Sequence, residues 1–342
     1  MSIPRRVRKA IKDIAFGGNP VPQRVFLGQR SPQTEISVWL HGMGSPLDVT
    51  YRHSMACAVP FTLCLAFNES QGPTEKEAEG LSLKFCEQDG QKRVLGEIGL
   101  KVVQRIALNG REFILLGARS SANYCMSKMR LWAHYLLYAR AEKRAKNTPD
   151  ISLSFLGRRA MEVMFICPRP ISLVSVITDI KGNMFPVNVM GDVDNGYFSF
   201  SLRSPKIPAH LVADAGRLAL SSVPFEQGSF AYQLGVNHNK QTIDWYELPF
   251  ETKKSKNFQI PVPVFAYRVR EMEVEKIHPI GSHTMFIARV VSDERYSEGP
   301  ELFVVHGFYE AWRLKKSNGE WSTALKEDAS IKAGARYKSS PV

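Results

Sequence analysis

PRPISLVSVITDIKGNMFPVNVMGDVDNGYFSFSLRSPK, residues 168–206, decides the reading of this chain. Ile171 to Thr178 is a run rich in β-branched residues, and Asp179 to Asn183 supplies a turn with Gly182. Met184 to Met190 and Tyr197 to Leu202 follow as two more strand-like runs. Branched and aromatic side chains suit a pleated, half-buried surface, and Gly, Asn and Asp close the turns between them. The stretch ends on Arg203, Ser204, Pro205 and Lys206, so two cations stand at the end of a strand. Downstream, Val262 to Val274, Thr284 to Val291 and Leu302 to Trp312 continue the strand pattern, with loops or short helices between residues 205 and 258. Many strands with few helices predict a closed β-barrel.

Upstream the pattern differs. Ile36, Val38 and Leu40 alternate with Ser37, Trp39 and His41, and Phe61–Phe67, Leu81–Cys86, Val94–Ile106 and Phe113–Leu116 also read as strands. Asp89-Gly90 and Asn109-Gly110 are turn signals. Ser70 to Glu79 is an acidic loop. Within residues 121–146, Met126, Met129, Leu131, Trp132, Tyr135, Leu136, Tyr138 and Ala139 recur at helical spacing and predict one long amphipathic helix. It runs into the charged segment Arg140–Lys146 and stops before Pro149, which puts a domain junction near residues 147–158. The expected organisation is an α+β domain over 1–150, a β-barrel domain over 151–320 and a flexible tail over 321–342. No internal repeat is visible in the residues.

The 342 residues suit two domains, and 44% hydrophobic residues supply real cores. The net charge of +12 favours anionic partners. Arg5, Arg6, Arg8, Lys9 and Lys12 crowd the start, and a second basic region runs from Lys128 to Arg159. No nucleic-acid motif accompanies this charge, so nucleic acid is not expected as a partner. The five cysteines form no CxxC pair, which predicts free thiols and no metal site. There is no signal-peptide core and no run long enough to span a membrane, so the expected location is the cytoplasm. His53 and Cys57 stand four apart, which on a helix would set a thiolate beside an imidazole. The apolar stretch Ala56–Leu65 reads more easily as core.

Five segments in order give the second half a family resemblance. Pro168–Val174, the turn Asp179–Asn183 leading into Phe185–Gly191, Tyr197–Lys206, Tyr232–Lys240 and Gly281–Val290 together resemble the flavin reductase-like family, over about residues 155–315. No family is recognised in residues 1–150. The resemblance implies an FMN-binding split barrel, a homodimer with FMN (or FAD) near the subunit interface, and NADH or NADPH delivering hydride to the flavin. Many members follow the lysine of the phosphate corner with a polar residue and a threonine, where this chain has Ile207-Pro208-Ala209-His210.

A flavin needs a flat apolar wall for its ring and donors for its phosphate. Pro186, Val187, Asn188 and Val189 are expected to form the wall, with Asn188 bonding the polar ring edge. Ser201, Arg203, Ser204 and Lys206 are expected at the phosphate. His238 and Lys240 are placed near the pocket mouth. His283 matches the family histidine and is assigned to the catalytic step, in positioning or protonation. The expected activity is an FMN-dependent NAD(P)H oxidoreductase. The alternative is a flavin-binding or sensing module without turnover, its N-terminal domain binding a partner.

Overall fold

The computed structural model describes residues 24–30, 35–88, 93–144, 153–179, 181–194, 196–204 and 206–316. The basic start, the Asp89-Gly90 turn and the tail 321–342 lie outside them. The chain is mainly β, as expected. Its strands in order are β1 (Val25–Arg30), β2 (Ile36–His41), β3 (Leu47–Asp48), β4 (His53–Cys57), β5 (Thr62–Asn68), β6 (Ser82–Glu87), β7 (Val94–Leu108) and β8 (Arg111–Asn123) in the first half. The second half holds β9 (Arg169–Pro170), β10 (Ser172–Ile177), β11 (Gly182–Val187), β12 (Met190–Asp194), β13 (Tyr197–Arg203), β14 (Arg217–Ser222), β15 (Thr252–Lys254), β16 (Pro261–Pro263), β17 (Arg268–Ile280), β18 (His283–Arg295) and β19 (Pro300–Val305). The helices are α1 (Glu75–Ala78), α2 (Lys128–Arg144), α3 (Phe155–Met164), α4 (Ile207–Ala215), α5 (Gly228–Gln233) and α6 (Gly307–Lys316).

Two seven-stranded sheets share one topology. The first is ordered β3-β2-β6-β7-β8-β5-β4 and the second β11-β10-β14-β17-β18-β13-β12. Strand for strand, these are the same path through the sheet. The register repeats as well. The β7–β8 hairpin bulges between Gly99 and Leu100, opposite Ser120 and Ala118, and again between Val102 and Gln104. The β17–β18 hairpin bulges between Glu271 and Met272, opposite Ser292 and Val290, and again between Val274 and Lys276. The edge hairpins match too, with bulges between Met55 and Cys57 and between Asp192 and Asp194. A bulge adds twist and curls a sheet, so bulges in matching places give two sheets curled alike. The N-terminal half is therefore a second copy of the barrel that the sequence predicts only for the C-terminal half.

Each copy has its own apolar interior. Val174, Phe185, Phe200, Leu218, Met272 and Phe286 fill the second. Leu40, Leu63, Phe85, Ile98 and Leu116 belong to the cluster that fills the first. The halves meet along a seam in which β4 packs against β12, β13 and β18. Ala56, Cys64, Phe113 and Leu115 from one half join Val193, Tyr197, Met285 and Ile287 from the other in one buried cluster. Backbone and side chains cross the seam: Ser54 Oγ donates to Ser199 O at 3.1 Å, and Ser282 N–H donates to Val59 O at 2.7 Å. A third sheet, β1-β19-β9, ties the start of the first half to the end of the second.

Two expectations change in detail. The helix expected from residue 121 begins at Lys128, because Ser120 to Asn123 pair with Gly99 to Gly96 and extend β8. His53 and Cys57 lie on a strand, not a helix. The thiol of Cys57 instead bonds Ile280 O at 3.0 Å across the seam.

The seam leaves no room at Gly191, where an added Cβ would lie 2.6 Å from the carbonyl oxygen of His53. Gly191→Val should therefore lower the unfolding free energy by about 1–3 kcal/mol, the usual cost of overpacking. Urea denaturation checks it, and a variant as stable as the parent would show that the strands do not approach this closely.

Candidate functional site

A cavity of about 490 Å³ lies between the two halves. From the second half it is lined by Pro186, Val187, Asn188 and Val189, by Ser201, Leu202, Arg203 and Lys206, and by His238, Asn239 and His283. From the first half and the linker come Arg24, Met55, Ala58, Met161 and Phe165. Strand geometry explains the convergence. β11 delivers Pro186–Val189 as it leaves the sheet, β13 ends at Arg203, and Arg203 pairs directly with His283 on β18.

The wall and the corner differ in character. Met55, Met161, Phe165, Val187 and Val189 present apolar surface, whereas Arg24, Arg203 and Lys206 bring positive charge. Lys206 Nζ donates to Asn239 Oδ1 at 3.2 Å. α4 starts at Ile207, directly after Lys206, and no side chain caps its N-terminus. Ser201 Oγ is buried and has no hydrogen-bond partner among the described residues. An unsatisfied buried hydroxyl on a cavity wall is a donor and acceptor held ready for a ligand.

Both histidines are held neutral. His238 Nε2–H donates to Pro186 O at 2.9 Å, which leaves Nδ1 as an acceptor. Burial pushes His238 down, and Lys206 and Arg203 add to this. His283 is pushed down to about 4, first by burial and then by the Arg203 charge. Its Nδ1 lies 2.8 Å from Ser282 Oγ and 3.7 Å from Cys57 Sγ. A ring with this affinity for protons is uncharged at neutral pH, so positioning, not proton donation, is the role its surroundings favour.

Two expected residues stand aside. Ser204 does not line the cavity, and its hydroxyl lies 3.2 Å from Thr284 Oγ1. Lys240 does not line it either; its carbonyl accepts from Asn183 Nδ2 at 2.7 Å. Leu202 and Asn239, neighbours of expected residues, were missed; the other missed contributors, Arg24, Met55, Ala58, Met161 and Phe165, come from segments with no motif. Only the packing of one half on the other brings them in.

The first half carries the same corner in altered form. Asn68 ends β5 as Arg203 ends β13, and Asn68-Glu69-Ser70-Gln71 stands where the second half has Arg203-Ser204-Pro205-Lys206. Asn68 Nδ2 donates to Gln71 Oε1 at 2.8 Å, so two amides replace two cations.

One further cluster bears on metals. His134, Glu162 and His306 bring three ligand-type atoms within 4.8 Å of one another. His306 Nδ1 accepts the Phe308 N–H at 3.1 Å, so in the neutral ring Nε2 carries the proton and has no lone pair for a cation. Burial and His134 push His306 down to about 3, which keeps that ring neutral. Among the described residues no helix is long and apolar enough to cross a membrane.

No family model and no curated protein matches the chain. Among solved structures it is similar to an FMN-binding protein from Thermus thermophilus with bound p-hydroxybenzaldehyde. The identity is 23% and the TM-score 0.36, over 40% of this chain and 81% of that one. It is also similar to the styrene monooxygenase flavin reductase of Pseudomonas putida S12, at 21% identity and TM-score 0.35, over 43% and 91%. A third similar structure is an NADH:FAD oxidoreductase of Streptomyces globisporus C-1027, at 14% identity and TM-score 0.39, over 47% and 95%.

The neutral histidines set a pH dependence. His53, His283 and His306 all have folded values below the ordinary 6.5, so the unfolded chain binds more protons than the folded one. Their stabilising contribution is complete above pH 6.5 and falls as pH drops toward about 4. Thermal unfolding between pH 6.5 and 5, above most carboxylate titration, should show a melting temperature that declines with acid. His283→Asn should flatten that decline, and an identical slope in the variant would contradict a neutral His283.

Proposed function

We propose that the chain is a flavin-binding oxidoreductase, with FMN held in the cavity between its two halves and NADH or NADPH as hydride donor. One observation carries this reading. A single cavity combines an apolar wall, a cationic corner at the end of a strand, and an unsatisfied buried hydroxyl. Its volume of about 490 Å³ falls within the range of small-molecule sites, roughly 300–1,000 Å³.

The residues divide the work. Arg203 offers two parallel donors to a phosphate, and Lys206 adds a point charge. Ser201 Oγ bonds the same group or the ribityl chain. The backbone of Pro186–Val189 and the amide of Asn188 face the polar ring edge, while Met55, Met161 and Phe165 cover the ring and exclude water. Bound flavin would supply the electron-pair acceptor. His283, neutral and fixed by Ser282, positions the nicotinamide beside it. Hydride transfer needs the two partners in contact more than it needs an acid or base, so proximity supplies most of the rate.

One chain contributes both walls, so the paired barrels within it do what two subunits were expected to do. The altered corner at Asn68–Gln71 leaves one phosphate corner per chain. FMN titration followed by flavin absorbance should accordingly saturate at one per chain, and NADH oxidation should depend on added FMN. Arg203→Ala should weaken FMN binding about 10- to 150-fold, since charge-assisted hydrogen bonds contribute roughly 1.5–3 kcal/mol. An unchanged affinity, or a protein indifferent to FMN, would remove this reading.

A further inference from the structure

A second cavity, of about 370 Å³, shares the seam. It occupies related positions in the repeat. Thr50 stands at the register of Asn188, and Asp192 at the register of Met55. The Asn68–Gln71 corner does not line it. Three arginines line this cavity. Arg268 is paired with Asp293, and Arg270 with Asp192 and Asp293. The third, Arg169 on β9, stands just ahead of the second repeat.

Arg169 is buried, with 6% of its surface exposed. Its guanidinium meets His53 Nε2 and, at 3.1 Å, Met164 Sδ. His53 Nδ1 lies 2.6 Å from Val49 O, which can only accept, so Nδ1 carries the proton and Nε2 accepts from Arg169. Both partners of the guanidinium are thus neutral. Arg169 Nε is buried with no partner among the described residues. Two carboxylates line the cavity, but each is engaged elsewhere: Asp192 by Arg270 at 3.2 Å and Glu301 by Arg295 at 3.3 Å. A guanidinium keeps its charge in proteins, and a buried charge with no counter-ion costs several kcal/mol. Such a cation on a cavity wall calls for an anion inside. The remaining lining says what else that anion carries. Met190, Phe198, Leu220 and Phe303 give the cavity an apolar side.

We propose that this second cavity binds a small organic carboxylate, its carboxylate on Arg169 and its apolar body against Met190, Phe198, Leu220 and Phe303. The site is independent of the flavin reading, because it uses none of the residues of the first cavity.

Benzoate serves as the probe, with inorganic phosphate as the control, in isothermal titration of the full chain at pH 7 without flavin. Benzoate should bind, and phosphate should bind at least tenfold more weakly. Arg169→Lys keeps the charge, and with it the fold, but loses the planar fork, and should weaken benzoate tenfold or more. Arg203→Ala, in the other cavity, should leave benzoate affinity within twofold. Circular dichroism verifies that both variants are folded. Absence of benzoate binding in the parent protein overturns the proposal. So does affinity unchanged in Arg169→Lys, affinity lost in Arg203→Ala instead, or phosphate binding as tight as benzoate.

Discussion

The seam between the two curled sheets is the constraint on which the rest depends. Each sheet ends in a short bulged edge strand, β4 in one half and β12 in the other. A bare edge exposes unpaired backbone groups and invites association. Here each edge is laid against the other copy, so closely that Gly191 has no room for a side chain beside His53 O. Hydroxyl-to-carbonyl bonds and a shared apolar cluster close the contact. Two similar surfaces joined in this way leave gaps where the strands diverge, and both cavities are found there. The two cavities are a consequence of how the edges are covered.

Electrostatics then makes the two gaps different. The first gathers Arg24, Arg203 and Lys206, and burial, with the charges of Arg203 and Lys206 adding to it, holds His238 and His283 neutral. The second holds one uncompensated guanidinium, Arg169, among groups whose charges are already paired. In the first half the strand-end corner carries Asn68 and Gln71 where the second half has Arg203 and Lys206. The two halves share the strand register and its bulges, which set the curl of the sheet. They do not share the corner residues, Asn68 and Gln71 in one and Arg203 and Lys206 in the other. Packing tolerates little change in register, because a slip of one residue turns every side chain to the opposite face. A strand-end corner beyond the ladder is under no such constraint.

How much was legible in the residues follows from the range of each interaction. The run of residues 168–206 announced its strands and the Arg203–Lys206 corner, because alternation and turn chemistry act between near neighbours. Eight of the ten expected cofactor residues, together with His283, line one cavity; Ser204 and Lys240 do not, and the Ser204 hydroxyl meets Thr284, a residue far away in the chain that no local pattern points to. The helix after β8 was anticipated but begun too early. Apolar spacing at Met126 and Met129 said nothing of the ladder that carries β8 through Asn123.

By itself, the sequence determined a mainly β chain, a cationic strand end and a family likeness in its second half. All of these rest on residues close together in the chain. Only the tertiary structure decided that the first half repeats the second, since equivalent positions such as Arg203 and Asn68, or Met55 and Asp192, have nothing in common but their place in a ladder of hydrogen bonds. Only the tertiary structure, too, brought Met55 and Phe165 into one cavity with Asn188 and left Arg169 with no acid paired to it among the described residues. Those relations span the seam, and a seam is formed by contacts between residues far apart in the chain, which no local pattern encodes.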